Sequence, residues 1–181
     1  MEKTKRLHQL AQAGLIAAMY TVLCVGFPAL SYGPIQFRLS EILTVLPVFT
    51  PAALPGLAVG CVVSNLYGLS MGANPAGMWD LLFGPAATFL AAVLTYCWRN
   101  VRLKGLPVLS TIPPVLINAV VVGLELAMAY FDFTWPIYGI CALEVGIGQL
   151  AVCTGGGLLF FALLQRSGAA DRLFGHRRPI I

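Results

Sequence analysis

Long apolar segments alternate along this chain with short stretches rich in proline, glycine or charge. A helix needs about 20 apolar residues to cross the hydrocarbon core of a bilayer. The pattern therefore predicts an all-α membrane protein with one domain over residues 1–181. We expect a bundle of six transmembrane helices, over about residues 10–28, 36–50, 55–70, 78–98, 108–130 and 137–165.

The boundary between the second and third predicted helices is marked by Pro51 and Pro55. Proline interrupts a helix because it lacks a backbone N–H and its ring collides with the preceding turn. Taken alone, residues 36–70 fit either a broken hairpin or one long helix followed by a re-entrant segment. The distribution of charge decides between these alternatives.

Positive charges fall on one side of the membrane if the chain crosses it six times. Both termini, the turn at 51–55 and the loop at 99–105 then share a side, and that side carries every lysine and arginine except Arg38. Cytoplasmic loops of membrane proteins are enriched in these residues. The sequence therefore predicts that both termini are cytoplasmic, whereas five spans would mix the charges.

Composition agrees with a membrane location. The chain has 181 residues, of which 59% are hydrophobic and only 10% charged, whereas soluble proteins are about 25% charged. A basic N-terminal stretch precedes an apolar run from about residue 10 to 30, which is longer than the core of a cleaved signal peptide. We interpret this run as the first membrane helix of a single bundle.

Motifs for catalysis and metal binding are absent from the sequence. The chain has neither a G-x-x-x-x-G-K-[ST] phosphate-binding loop nor an H-E-x-x-H motif,. Its five cysteines are scattered without a C-x-x-C pair, and both histidines lie in the terminal tails. We expect no enzyme activity, no metal site and no cofactor in this chain.

Four carboxylates lie inside or beside the apolar segments: Glu41, Asp80, Glu125 and Glu144. A charge at the centre of a membrane helix costs about 2.5–3.5 kcal/mol by insertion scales. In the predicted topology all four fall in the outer half of the membrane, with Glu125 roughly 8 Å before the outer end of its helix. Their retention in apolar surroundings indicates a function.

Two other polar residues are predicted to lie near these acids. Arg38 is the one cation predicted on the outer side, and it is three positions before Glu41, which is close enough to pair within a helix,. Asn118 is seven positions before Glu125 and shares its helix face,. One arginine cannot neutralise four acids, so the remaining negative charge suits a cationic or donor-rich ligand. Alternatively, these groups pair with each other as structural contacts, or Asp80 caps its own helix.

Aromatic residues are predicted at the same outer edge: Tyr32, Phe37, Tyr67, Trp79, Trp135 and Tyr138. Such residues form interfacial belts in many membrane proteins. One or two of them are alternatively a stacking surface for a planar heteroaromatic ligand.

Small residues repeat with a spacing of four along the first predicted helix: Ala13, Gly14, Ala17 and Ala18. This spacing lets another helix approach closely. The partner helix belongs either to another subunit or to the same bundle, and the spacing alone does not distinguish the two.

Four segments resemble the QueT family of queuosine-precursor transporters, which are substrate-binding S components of energy-coupling factor (ECF) transporters. Six short spans, cytoplasmic termini and the lack of an ATPase motif fit the same class. The segments are PIQFRLSEILTVLPVFTPAALPG (34–56), WDLLFGPAATFLAA (79–92), PPVLINAVVVG (113–123) and ALEVGIGQLAVC (142–153).

The resemblance implies partners and a cargo. An S component captures its substrate outside the bacterial cell membrane and works with a scaffold subunit, EcfT, and a pair of EcfA-type ATPases that use ATP. The family's docking motif on the first helix, Ala-x-x-x-Ala, is matched by Ala13 and Ala17. The expected cargo is a 7-deazaguanine, either the 7-cyano base, the 7-aminomethyl base or queuine.

We expect ligand contacts within the polar group of the outer half. Glu125 and Glu144 are the strongest candidates, and Glu41 is expected mainly to hold Arg38. The complete candidate set is Glu125, Glu144, Asn118, Asp80, Arg38 and Glu41.

Other functions stay open on the sequence alone. The cargo of an S component could be another vitamin or a nucleobase. A solitary ion-coupled carrier also uses buried carboxylates, but it usually needs them near the midplane with access from both sides. An intramembrane enzyme would need a nucleophile with its base, or a metal cage, and neither is recognisable.

Overall fold

A computed structural model of the chain describes residues 2–32, 37–74 and 77–175. Within these ranges the protein is helical throughout and contains no β-strand. The α-helices are α1 (Glu2–Gly26), α2 (Pro28–Ser31), α3 (Ala53–Ser70), α4 (Met78–Cys97), α5 (Ile112–Tyr130), α6 (Trp135–Gln149), α7 (Gly157–Arg166) and α8 (Ala169–Phe174). Two 3₁₀ helices, Leu39–Val48 and Val108–Thr111, and a π-helix, Leu150–Gly156, complete the described elements.

Five described helices are long and apolar enough to cross a membrane. They are α1, α3, α4, the helix over Val108–Tyr130, and the continuous helix over Trp135–Arg166 that joins α6, the π-helix and α7. The prediction of an all-α membrane protein is confirmed, and these five helices match five of the six predicted spans. Residues His176–Ile181 lie outside the described ranges, as do 33–36 and 75–76.

The second predicted span, about 36–50, is instead a ten-residue 3₁₀ helix, Leu39–Val48, which we call the central helix. Its length is about 20 Å at about 2.0 Å per residue, which is shorter than the roughly 30 Å hydrocarbon core. Eight of its residues are buried. It packs against α1, α3, α4, α7, the π-helix and the Val108–Thr111 helix. Because most of its residues are buried against these other elements, this segment lies in the core of the bundle.

Helices α1 and α3 touch through their backbones because α3 carries glycine at the crossing. A methyl group at Gly56 would lie 2.8 Å from the carbonyl oxygen of Ala13, and one at Gly60 would lie 2.9 Å from that of Ala17. Such contacts are typical of small-residue packing between membrane helices. The small-residue pattern of α1 therefore serves packing within the bundle, at least on the side of α3.

Helix α8 is tied to α1 and to the end of the central helix. Gln12 donates a hydrogen bond to the carbonyl oxygen of Leu173 at 2.6 Å and accepts one from Thr50 at 2.9 Å. The ring of Phe49 stacks on Phe161 and on Phe174, with centroids 4.9 and 5.8 Å apart. This cluster fixes the C-terminal end of the central helix, and the N-terminal end carries the candidate site.

Candidate functional site

A buried ion pair joins the start of the central helix to α4. The Nη2 atom of Arg38 lies 2.6 Å from Oδ2 of Asp80, and the two side chains are 4% and 0% exposed. The Nε atom of Arg38 also donates to the carbonyl oxygen of Ser31 at 3.1 Å. Charge-assisted hydrogen bonds of this length are strong, so the pair fixes α2, the central helix and α4 relative to one another.

Asp80 has further contacts that hold it beside Arg38. Its Oδ2 atom accepts a hydrogen bond from Asn74 at 2.7 Å, and its backbone carbonyl accepts one from Asn65 at 2.7 Å. A methyl group at Gly84 would collide with the Asp80 carboxylate, so glycine is required there. The Oδ1 atom of Asp80 has no hydrogen-bond partner within the described residues.

One expectation about these residues was wrong, and one alternative left open by the sequence is not observed. Arg38 pairs with Asp80 and not with Glu41, because Arg38 has extended backbone geometry just before the central helix. A spacing of three brings side chains together only when both residues are helical. Asp80 does not cap α4 either, since Gly77 is the N-cap and the Asp80 side chain is directed to Arg38 and Asn74.

Glu41 forms a second buried cluster, with α1 and α5. Its side chain is 1% exposed. Its Oε1 atom accepts a hydrogen bond from the hydroxyl of Tyr20 at 2.5 Å, and its Oε2 atom lies 3.4 Å from Nδ2 of Asn118. Asn118, which was predicted to share a helix face with Glu125, thus contacts Glu41. The two clusters lie within electrostatic range of each other, and together we call them the polar layer.

Tyr20 was not predicted from the sequence. Its signal was its position on one face of α1, where Gln12, Tyr20 and Cys24 follow each other at helical spacing and are all buried. A hydroxyl on an otherwise apolar inward face needs a partner, and Glu41 supplies it.

Glu125 is buried on α5 without a compensating group. Its side chain is 7% exposed, and neither carboxylate oxygen has a hydrogen-bond partner in the part of the chain that the structure describes. It lies within electrostatic range of Asp80 and Arg38, beside the polar layer. It also lines a cavity of about 360 Å³ between α4 and α5. The other residues that line this cavity are Trp79, Phe83, Val120, Val121, Leu124 and Met128.

Glu144 stands apart from the other three acids. It is exposed on α6 and makes no hydrogen bond or ion pair to any described residue. Helix α6 contacts α5 closely at Ala142, whose Cα would lie 2.6 Å from a methyl group on Gly123. The structure therefore brings Arg38, Asp80, Glu41, Asn118 and Glu125 into one buried region and leaves Glu144 on the surface. The role of all six residues in ligand binding stays a prediction.

The aromatic residues of the outer edge divide into two groups. Tyr32 is buried and donates a hydrogen bond to the carbonyl oxygen of Ser64 at 2.6 Å, so it is structural. Tyr67, Trp79 and Trp135 are exposed, as expected of an interfacial belt. Only Trp79 also lines the cavity next to Glu125.

A groove of about 590 Å³ lies between α1 and α3. Ala13, Gly14 and Ala17 line it from α1, and Pro55, Gly56 and Val59 line it from α3. Ala13 and Ala17 therefore both pack within the bundle and border an accessible apolar surface. No group of three or more His, Cys, Asp or Glu residues suited to a metal ion occurs within residues 2–32, 37–74 and 77–175.

Comparison with known proteins identifies the family. A family model described as QueT transporter matches residues 10–166. The queuosine precursor transporter QueT of Lactococcus lactis subsp. cremoris (strain MG1363) is 35% identical over 65 residues, which cover 35% of this chain and 38% of that relative. No solved structure matches the chain with statistical significance.

The family match bears on the alternatives raised by the sequence. A family of transporters excludes the intramembrane enzyme, and the five apolar helices fit a multi-pass membrane protein. The resemblance noted in the four sequence segments is confirmed by a match over most of the chain. This protein is therefore a member of the QueT transporter family.

Proposed function

We propose that this protein is the substrate-binding S component of an ECF-type importer and captures a queuosine precursor, a 7-deazaguanine base or queuine, from outside the cell. The observation that carries the proposal is the buried polar layer with the unpaired Glu125 beside it, in a chain of the QueT transporter family. The Lactococcus relative is a queuosine precursor transporter, which supports the choice of cargo.

The proposed orientation places both termini in the cytoplasm and the polar layer toward the outside. The predicted six-span topology puts every lysine and arginine except Arg38 on one side, which agrees with the enrichment of these residues in cytoplasmic loops,. Asp80 is in the first turn of α4, and Glu125 is five residues before the end of α5. Both acids then lie near the outer surface, where a ligand arrives.

The chemistry of the polar layer suits a guanine-like base. Such a base presents an N–H and an amino group on one edge and a carbonyl oxygen beside them, so it needs both acceptors and donors. Carboxylates accept two hydrogen bonds, whereas the amide of Asn118 and the guanidinium of Arg38 donate. The Oδ1 atom of Asp80 is a free acceptor among the described residues. Ligand binding here satisfies groups that are costly to leave unpaired.

Energy for uptake would come from partner subunits. The chain has no phosphate-binding loop, so ATP is used by a pair of EcfA-type ATPases joined through the scaffold EcfT. The groove between α1 and α3, bordered by Ala13 and Ala17, is the proposed docking surface for a scaffold helix. Small residues permit close helix approach in a membrane.

A solitary ion-coupled carrier is the second candidate. The buried and unpaired Glu125 favours it, because such carboxylates carry protons or ions in many carriers,. The position of the buried acids weighs against it, because a carrier usually uses ionisable groups near the midplane and open to both sides. An S component for a different vitamin or nucleobase has the same topology and differs only in cargo.

Binding measured without ATP tests the proposal. Purified protein in detergent or nanodiscs is titrated calorimetrically with the 7-aminomethyl base, the 7-cyano base, queuine and guanine. We expect saturable binding of at least one 7-deazaguanine, tighter than that of guanine. Absence of heat with all of these ligands contradicts the cargo. Uptake by cells that express this chain without any ECF module contradicts the S-component role and favours the solitary carrier.

A further inference from the structure

A groove of about 440 Å³ lies where the first turns of α1 meet the end of the central helix and α8, and we call it the polar groove. Its apolar walls are Phe49, Pro51 and Phe174. The other residues that line it are polar, and no carboxylate is among them: Thr4, Lys5, His8, Gln9, Gln12 and Thr50. A groove with a cation, several hydrogen-bond donors and no acid among its lining residues suits an anionic group.

The buried side chain of Gln12 fixes the hydrogen-bonding role of His8. Gln12 is 9% exposed, its Oε1 atom accepts from Thr50 at 2.9 Å, and its Nε2 atom donates to the carbonyl oxygen of Leu173 at 2.6 Å. The same Nε2 atom lies 3.0 Å from Nε2 of His8. An amide nitrogen has two hydrogens and accepts none, so the second hydrogen is donated to His8. A neutral His8 then carries its own proton on Nδ1, where it is a donor for a ligand.

The polar groove lies where α1 changes from polar to apolar. Residues 2–9 carry Lys3, Lys5 and Arg6, whereas α1 has no charged residue from position 10 onward. The acid in this stretch, Glu2, is paired with Arg6 at 2.6 Å, which leaves the two lysines as excess positive charge. In a helix that crosses a membrane, such a change marks the level of the lipid headgroups.

The polar groove adjoins the groove between α1 and α3, because Gln9 and Pro51 line both. Beyond these two residues and Arg6, the second groove has walls of small or apolar side chains. Those from α1 are Leu10, Ala13, Gly14 and Ala17, and Val59 is one of those from α3. The two grooves therefore present donors at the headgroup level and an apolar surface along the membrane part of α1, which is the order of groups in a phospholipid.

We propose that the polar groove binds the phosphate headgroup of an anionic phospholipid, with Lys5 and His8 as donors to the phosphate and an acyl chain along the groove between α1 and α3. Basic pockets between membrane helices bind anionic headgroups in other proteins. Lys5 is exposed and reaches a ligand through a long side chain,. The inference does not depend on the proposed cargo.

The apolar continuation of the polar groove favours a lipid over an acidic segment of a protein. An irregular acidic loop fits the polar groove alone, since its backbone would be left with unpaired polar groups beside Ala13 and Ala17,. An acyl chain has no such groups. If the scaffold docks between α1 and α3, as proposed above, the scaffold helix and the acyl chain exclude each other there.

Lipid binding to the full-length protein tests the inference. The protein in mild detergent is titrated with phosphatidylglycerol, which is anionic, and with phosphatidylcholine of the same acyl chains, and native mass spectrometry counts the bound lipids. We expect the wild-type protein to bind the first phosphatidylglycerol roughly fivefold more tightly than phosphatidylcholine, or better, because a basic residue at the headgroup level attracts an anionic lipid. Lys5→Gln should weaken phosphatidylglycerol by roughly fivefold and remove this preference.

Matched variants separate a built site from general attraction. Lys3→Gln removes the same charge from the same helix, two residues away and outside the groove, and should weaken phosphatidylglycerol by less than about twofold,. His8→Leu should weaken it by roughly two- to tenfold through the lost donor. All three positions are exposed, so the variants should unfold at the same temperature as the wild type,. Glycerol phosphate, which is a headgroup without acyl chains, should not compete with phosphatidylglycerol at equal concentration.

Four results would overturn the inference. Equal affinity of the wild-type protein for the two lipids would show that the groove does not select a charged headgroup. Equal weakening by Lys3→Gln and Lys5→Gln would show diffuse attraction to the basic end of α1. Competition by glycerol phosphate at equal concentration would make a soluble phosphate ester the ligand. Loss of a co-purifying partner subunit in Lys5→Gln, with lipid binding unchanged, would assign the groove to a protein.

Discussion

The two halves of this bundle, which we call outer and inner after the predicted orientation, contain different interactions. In the outer half lie a buried ion pair, a buried carboxylate with two partners and a carboxylate without a hydrogen-bond partner among the described residues. In the inner half, phenylalanine rings stack on one another and α1 crosses α3 at Gly56 and Gly60. Polar groups buried in apolar surroundings reduce stability unless they are fully paired, whereas close packing increases it. The contacts of the inner half hold helices together, whereas the buried ionisable groups of the outer half are where we propose that the ligand binds.

Removal of the arginine should be the most damaging change in the outer half. Arg38→Met leaves the Asp80 carboxylate buried without its cation, which should lower the free energy of unfolding by about 3–5 kcal/mol,. The measurement is thermal or denaturant unfolding in detergent. The double variant Arg38→Met with Asp80→Asn should recover part of the loss. If the single variant is as stable as the wild type, the ion pair is not structural.

Loss of the tyrosine hydroxyl should have an intermediate effect. Tyr20→Phe removes the donor to Oε1 of Glu41 and should cost about 1–3 kcal/mol, because a buried acceptor loses its partner,. Tyr67→Phe, at an exposed tyrosine, is the control and should change stability by less than about 0.5 kcal/mol,. Equal effects of the two substitutions would refute the assignment of Tyr20 as the partner of Glu41.

Two glycines of the inner half should separate packing from docking. Gly60→Leu collides with α1 and should cost about 1–3 kcal/mol of stability,. Gly14 has open space around it and lines the groove, so Gly14→Leu should leave stability and ligand affinity unchanged and block co-purification with the scaffold subunit. If the Gly14→Leu variant still retains the scaffold in a pull-down, the scaffold docks on another surface.

Ala13 and Ala17 test the same distinction where packing and docking overlap. A bulky residue at either position is expected to abolish co-purification with the scaffold, as the family resemblance implies. Since both residues also contact α3, the substitution should destabilise the protein as well, more than Gly14→Leu does. A loss of ligand binding without any change in docking would mean that the two alanines serve packing alone.

Neutralising the exposed acid should have the smallest effect. Glu144→Gln is expected to change the free energy of unfolding by less than about 0.5 kcal/mol, as for most surface substitutions,. The sequence made Glu144 one of the two strongest candidates for ligand contact, whereas the structure places its side chain on the surface. A large loss of ligand affinity in this variant would show that Glu144 belongs to the binding site.

Local patterns in the sequence predicted most of the helices. Apolar length located α3, α4 and α5 within a few residues, because a segment in a bilayer must satisfy its own backbone hydrogen bonds as a helix,. It located the C-terminal end of α1 equally well, but α1 begins at Glu2, before the predicted start at about residue 10. Residues 39–48 differ from the predicted span in that they form a short, buried 3₁₀ helix. Hydropathy measures apolarity and does not distinguish a lipid environment from a protein core.

The partners of the buried acids depended on the tertiary structure. Arg38, Asp80, Glu41 and Asn118 were predicted to share one region from topology and helical phase, and they do. Which of them pair was not predictable, because Arg38 and Asp80 are 42 residues apart and Glu41 and Asn118 are 77 apart. Whether an acid has a hydrogen-bond partner among the described residues, as Asp80 does, or has none there, as Glu125, depends on how separate helices are placed against each other.

By itself the sequence determined the class of protein and the polar residues predicted at its outer end, since hydropathy, length and charge are local properties. The tertiary structure decided which carboxylates have partners among the described residues, because contacts between distant residues form only when the helices pack.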